Sequence, residues 1–243
     1  MSAATTARRS SGAERRALGY AILARCFAYP TESGLAELRE LARHAAPAFR
    51  DTPLGGVCER IASLSLEGWR REHTELFTLT FNPDCPNFES AYLARDPTEQ
   101  SEQLARVAGF YQAWNVTGCG TGYRPDEIGT ELEFMSLMAA KEAYGAGSPL
   151  EGIARRGQQL FFQEHLGRWG LAFARAVSRL AAPGSFHALV AAALQAWLAE
   201  EQTALGVELR DVALAPSRFW DAERQEPQSS ALVDVESIRE WRR

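Results

Sequence analysis

The chain has 243 residues, a formal net charge of −5 and 46% hydrophobic residues. That length suits one large domain or two small ones, and the apolar content suffices for a sizeable core. The acidic balance argues against nucleic acid as a partner, because phosphate binding needs a basic surface. At the N-terminus, Arg8 and Arg9 followed by "ERRALGYAILARCFAY" imitate a twin-arginine export signal. Arg25 interrupts the apolar stretch and no small-residue cleavage site follows, so the expectation is a cytoplasmic protein. Residues 1–13 read as a loose tail. Leu18, Ile22, Leu23 and Phe27 recur at helical spacing and predict a first helix over 14–29, closed by Pro30.

Helices are next predicted over 33–46 (Leu35, Leu38 and Leu41 inward), 55–66 (Val57, Ile61, Leu64) and 66–81 (Trp69, Leu76, Phe77). Residues 82–97, "NPDCPNFESAYLARDP", carry three prolines and turn-forming Asn and Asp. Phe88, Tyr92 and Leu93 leave two readings open there: a binding loop, or a loop that tucks its aromatics into the core. A helix over 98–115 presents Leu104, Val107, Phe110 and Tyr111. "TGCGTGYRP", residues 117–125, predicts a hinge. It is no phosphate loop, lacking Lys-Ser or Lys-Thr and a preceding strand. A helix over 125–144 starts with Pro125 in its first turn and stops at Gly145 and Gly147.

Three further helices are predicted over 149–165, 167–181 and 185–204, with Ile153, Leu160, Phe161, Leu166, Trp169, Phe173, Val177, Leu189, Leu194, Trp197 and Leu198 inward. No segment alternates with period two. The fold class is therefore all-α: one helical bundle domain over 14–204, in lobes of about 14–116 and 125–204. Residues 205–243 form a C-terminal tail, and whether Phe219 and Trp220 lie on the bundle stays open. "ALVAAALQAWLA", residues 188–199, falls short of the ~20 residues that span a bilayer. Cys26, Cys58, Cys85 and Cys119 have no metal-knuckle spacing and fit buried thiols in a reducing compartment.

The stretch "YRPDEIGTELEFM" gathers Asp126, Glu127, Glu131 and Glu133. A helical carboxylate metal site needs Glu-x-x-His pairs, and none of His44, His73, His165 and His187 has a Glu three residues before it. H-E-x-x-H and G-x-S-x-G are also missing, so neither metal, cofactor nor catalysis is expected. Asp126 and Glu127 suit a helix N-terminus, at about 0.3–1 kcal/mol each. Glu131 and Glu133 lie deeper among Ile128, Leu132, Met135 and Met138. They predict a partly buried acidic strip beside an apolar one, suited to a ligand with cationic and apolar parts.

Four segments together resemble the TorD/DmsD/NarJ-type redox-enzyme maturation chaperones: "EHTELF" (Glu72, Leu76, Phe77), "PNFESAYL" (Pro86, Phe88, Glu89, Ser90, Tyr92), "RPDEIGTELEFM" (Pro125, Asp126, Glu131, Leu132, Phe134, Met135) and "FFQEHLGRWGLAF" (His165, Leu166, Trp169, Phe173). They occur in the family's order over about 14–204. One departure is Glu127, where many members have His; it makes the site more acidic. The style is similar to the chaperones of the type II dimethyl-sulfoxide-reductase group. The resemblance implies a non-enzymatic chaperone of two lobes. Its partner would be the apo catalytic subunit of a molybdopterin-dependent oxidoreductase, bound with its twin-arginine signal peptide until cofactor insertion. It implies a monomer, with lobe exchange at the glycine-rich hinge as an alternative. Client contact is expected from Glu72, Leu76, Phe77, Phe88, Glu89, Tyr92, Asp126, Glu127, Glu131 and Met135; plain core packing is the rival reading for Leu76, Phe77, Phe134 and Met135, and Glu72, Tyr92, Asp126, Glu127 and Glu131 are the ones expected to be exposed. The rival reading is a helical interaction scaffold without a maturation role.

Overall fold

The structure is a computed structural model that describes residues 3–78, 82–116 and 124–217, without the side chains of 3–11 and 78. Side-chain caps open most helices close to where the periodicity places them. Thr31 accepts from Gly34 N to start α2 (Glu32–Ala45), Thr52 from Gly55 N to start α3 (Pro53–Ala62), and Ser65 from Gly68 N to start α4 (Leu66–His73). Asp96 accepts from Thr98 N and Glu99 N ahead of α6 (Pro97–Ala113), and Ser148 and Ser185 cap α8 (Pro149–Glu164) and α10 (Phe186–Leu205). Each such cap contributes typically about 1 kcal/mol. The remaining helices are α1 (Ala3–Phe27), the short α5 (Ser90–Leu93), α7 (Ile128–Tyr144) and α9 (Leu166–Leu180). No strand occurs among the described residues, and none of their helices is long and apolar enough to cross a membrane.

α1 lies along α7, α7 against α8, and α10 against both α9 and α3. Helices from both predicted halves thus build one contiguous core that runs from Tyr20 to Leu205. α1 and α10 approach closely at Gly19, where an added Cβ would stand 2.3 Å from the Trp197 ring. The core also holds charge. Arg16 is buried and donates to Glu201 (2.9 and 2.8 Å), Glu142 (3.0 Å) and Gln158 (2.7 Å), and Tyr20 Oη donates to Glu201 (2.8 Å). Burial disfavours the Arg16 charge, but the bonds to Glu201 outweigh it and raise its pKa.

The structure corrects several expectations. α1 begins at Ala3, so the loose tail over 1–13 is helix for most of its length. The fourth predicted helix ends at His73 and continues as a π-helical turn over Thr74–Thr78. Ile153 and Leu189 are 55% and 38% exposed. The inward stripe of α8 is Ala154, Gly157, Gln158, Phe161 and Phe162, and that of α10 passes through Val190, so each neighbour is rotated outward. The hinge over 117–122 and the contacts expected of Phe219 and Trp220 lie outside the described residues. Residues 207–217 do lie on the bundle, with Val207, Leu209 and Ala213 against the core.

Candidate functional site

The aromatic loop and the start of α7 are zipped together. Phe88 and Glu127 form an antiparallel bridge, with Glu89 N donating to Asp126 O (2.8 Å) and Ile128 N to Asn87 O (2.9 Å). Pro125 and Asp126 therefore precede the helix rather than open it, and Tyr111 Oη donates to the Pro125 carbonyl (2.7 Å). The Asp126 carboxylate is fully buried. It accepts from Ser90 N (3.1 Å) and from Arg124 Nε (3.0 Å), while the Arg124 guanidinium lies 4.0 Å from the Phe88 ring centre. Glu127 is half-buried and accepts from Asn87 Nδ2 (2.8 Å); burial and the nearby Asp126 charge raise its pKa.

Behind this clasp lies a second buried group. Glu89 and Glu131 are fully shielded, and His165, at the α8–α9 junction, is nearly so. His165 Nδ1 stands 3.0 Å from Glu89, and Trp169 Nε1 donates to Glu131 (3.1 Å). A carboxylate only accepts, so the Nδ1 proton belongs to this bond. Glu131 Oε1 meets no N–H donor and faces Glu89. Burial, then the nearby Glu89, pushes the Glu131 carboxyl well above the usual carboxylate range.

This arrangement has a signed consequence. The unfolded chain loses the Glu131 proton near pH ~4.3, whereas the folded chain keeps it to higher pH. The stability it contributes is complete below that value and drains away as pH rises towards the folded pKa. Glu131→Gln retains a donor towards Glu89 and does not ionise. The variant is expected to gain stability over the parent progressively as pH rises above the ordinary carboxylate range, in urea unfolding series. Parallel pH curves for the two proteins would refute the raised Glu131 pKa.

"EHTELF" sits at a different place. Glu72 accepts from His187 N (3.1 Å) and lies 3.2 Å from His187 Nδ1, and Phe77 packs on Phe27, Phe173, His73 and His187. Glu72 and Leu76 line a small pocket of about 170 Å³ with Asn82, Leu180 and Ser185. Ring contacts join this region to the rest: Phe77 to Phe173 (6.1 Å), Phe173 to Trp169 (5.6 Å) and Trp169 to Tyr92 (5.2 Å).

The expected exposure of Tyr92, Asp126 and Glu131 is thus corrected. Asp126, Glu131, Glu89 and Met135 are fully buried, Phe88 and Tyr92 nearly so, because the loop folds across the start of α7. Glu133 alone of the four clustered acids is exposed, facing Arg25 at 3.3 Å. Among the described residues, Tyr92 lines one cavity and Glu72 another, while Asp126 and Glu131 are fully buried.

A groove does run along α6, where the sequence reading placed no site. Two adjoining cavities of about 520 Å³ each share Gln103, Arg106 and Arg168. One end is polar, with Arg95, Glu99, Glu102 and Asp211. The other is apolar, floored by Gly109, Phe110, Ala113, Trp114 and Leu160, with Glu164 at its edge. Tyr92 and His165 form part of its wall, so the buried Glu89, Glu131 and Trp169 hold that wall from behind. The sequence signal was available: Gly109 and Ala113, one turn apart, leave space beside Phe110 and Trp114, also one turn apart. Among the described residues no cluster of three His, Cys, Asp or Glu could hold a metal ion.

A family model described as "Nitrate reductase delta subunit" matches residues 27–175. No curated protein sequence matches the chain. Among solved structures, one described as a redox enzyme maturation protein from Archaeoglobus fulgidus superposes with a TM-score of 0.54 at 21% identity, covering 76% of this chain and 93% of that one. At that identity the likeness shows the helical fold. The matched span contains the zipped loop and α7 start, the buried Glu89–Glu131–His165 group and all of the groove along α6 except Asp211 and Ala213, and it takes in more than half of the chain: the protein belongs to the nitrate reductase delta subunit family of redox-enzyme maturation chaperones.

Proposed function

We propose that the chain is a cytoplasmic chaperone for the apo catalytic subunit of a molybdenum enzyme. It holds that subunit through an apolar segment bearing arginines, such as a twin-arginine signal peptide, until the cofactor has been inserted. The observation that carries this reading is the α6 groove, apolar at one end and bordered by Glu99, Glu102, Glu164 and Asp211. Those acids outnumber the arginines Arg95, Arg106 and Arg168 on the same walls.

Magnitudes rank the contributions. An exposed ion pair gives about 0–1 kcal/mol, and Glu99 and Glu102 are already engaged by Arg95 and Arg106. Micromolar binding needs about 8 kcal/mol. Most of that must come from apolar burial, at ~25 cal/mol per Å² before association costs. The apolar floor therefore supplies affinity, and the acids orient the segment. The signature acids act indirectly by keeping Tyr92 and His165 in the groove wall.

Co-purification tests the reading. Tagged chain recovered from its native cells is expected to carry a molybdoenzyme catalytic subunit in cofactor-free form, released by a synthetic peptide with paired arginines and an apolar stretch. Recovery of the cofactor-loaded subunit in equal yield, or of no such subunit, would refute it.

A further inference from the structure

The four acids of the α6 groove are not equivalent. Arg95 holds Glu99 through three side-chain contacts, and Arg106 lies 3.5 Å from Glu102. Asp211, in the polar cavity, and Glu164, at the edge of the apolar one, have no cation within ion-pairing distance among the described residues. Arg168 lines both cavities and likewise pairs with no carboxylate there; its guanidinium donates to the Glu164 backbone carbonyl at 3.4 Å. Its own carbonyl accepts from Ala213 N (2.8 Å), which fixes the segment that carries Asp211. With the two resident pairs set aside, two free acids face one free arginine. Glu208 and Arg210, beside Asp211, line neither cavity and offset each other.

Both free acids break a local rule. Glu164 is the last residue of α8, where the negative end of the helix dipole disfavours a carboxylate. Asp211 has a φ of +50°, a left-handed conformation that Asp and Asn adopt more readily than most residues. Local rules broken without a resident compensation mark functional positions. A third group points the same way. Gln103 is 6% exposed and lines both cavities; its Oε1 faces Arg106 at 3.5 Å, and its Nε2 donates to no described residue. A buried amide donor left open to a cavity calls for an acceptor, such as a backbone carbonyl.

We propose that Asp211 and Glu164 are the arginine acceptors of the groove, one for each of two adjacent client arginines, and that Gln103 donates to the client backbone between them. The inference rests on the groove being the client site. In an extended segment successive side chains point to opposite sides. Adjacent arginines therefore diverge, one into the polar cavity and one towards the edge of the apolar cavity, on either side of the shared residues Gln103 and Arg168. Arginines separated by one residue point to the same side and reach one acceptor. The site thus reads the spacing of the arginines and not their charge alone.

Calorimetry on the full chain tests this with three peptides that share one apolar stretch and carry Arg-Arg, Arg-Ala-Arg or Gln-Gln before it. The parent is expected to bind the Arg-Arg peptide about fivefold more tightly than Arg-Ala-Arg, although their charges are equal. The double variant Glu164→Gln, Asp211→Asn is expected to lose about tenfold for Arg-Arg and nothing for Gln-Gln. It keeps a residue suited to the left-handed position and relieves the α8 terminus, so its Tm should not fall. The double variant Glu99→Gln, Glu102→Gln, which removes acids already engaged, is expected to lose no more than about fivefold for Arg-Arg. Equal affinity of the parent for Arg-Arg and Arg-Ala-Arg would overturn the proposal. So would a loss in Glu164→Gln, Asp211→Asn that is the same for Arg-Arg and Gln-Gln, or a larger loss from the Glu99, Glu102 variant. If Ala113→Arg weakens Arg-Arg binding and Glu164→Gln, Asp211→Asn does not, the client groove stands and these acceptors fall. If neither weakens it, both readings fall.

Discussion

Arginine in place of Ala113 is expected to weaken binding of a twin-arginine peptide by at least about 30-fold while leaving the fold intact. Ala113 is exposed at the last position of α6, and Gly109, one turn earlier, meets nothing within 4 Å of an added Cβ. These two small residues open the apolar end of the groove beside Phe110 and Trp114. A long cationic side chain at 113 fills that space and opposes the incoming arginines. Loss of a central, desolvated contact costs at least about 2 kcal/mol, which is the stated 30-fold. The fold should tolerate the change, because a cation in the last turn is favourable to the helix dipole. Calorimetry measures the affinity, and circular dichroism establishes that the variant is folded. By comparison, Glu102→Gln removes one exposed charge and is expected to change affinity no more than about fivefold. Undiminished affinity in folded Ala113→Arg would place the client elsewhere.

The largest expected loss of stability comes from Glu201→Ala, at about 3–5 kcal/mol. Glu201 is 2% exposed and Arg16 7%. The substitution leaves the guanidinium buried with Glu142 and Gln158 as its acceptors, and it removes the acceptor of Tyr20 Oη. For a chain of this size the loss corresponds to a fall in Tm of roughly 10 °C, measurable by thermal denaturation. The double variant Arg16→Met, Glu201→Met is expected to recover most of it. An apolar pair of similar volume avoids the desolvation penalty that a stranded charge retains. If the double variant were no more stable than Glu201→Ala, the pair would not be the origin of the loss.

Much of the fold was legible because helices announce themselves locally. Leu35, Leu38, Val57, Ile61, Phe161, Trp169, Phe173 and Leu194 are placed inward by helical spacing alone, and all are buried. The family was legible for a related reason: its motifs are short runs of neighbouring residues. The site was not legible because its logic is long-range. Acids are seldom fully buried, so Asp126 and Glu131 read as surface. Their burial depends on a loop some 36 residues earlier, through Ser90 N, and on Trp169, 38 residues later. Arg16 and Glu201 lie 185 residues apart, and neither residue points to the other in the sequence. The two readings left open for Phe88 and Tyr92 resolve towards the core, with Tyr92 also reaching the groove wall. α6 was read by the face that holds Val107 and Tyr111 inside; Phe110 was grouped with that face, although with Gly109 and Ala113 it lines the groove.

The zipped loop and its buried acids have a consequence for how such chains are to be told apart. "PNFES" and "PDEIGTELEF" secure the architecture, whereas the residues that would meet a passenger lie mainly on one side of a helix that carries none of these signatures. Two proteins could agree letter for letter in both motifs and still escort different cargo, and exchanging Gln103, Arg106, Gly109, Phe110, Ala113 and Trp114 between them should redirect that choice without touching the motifs.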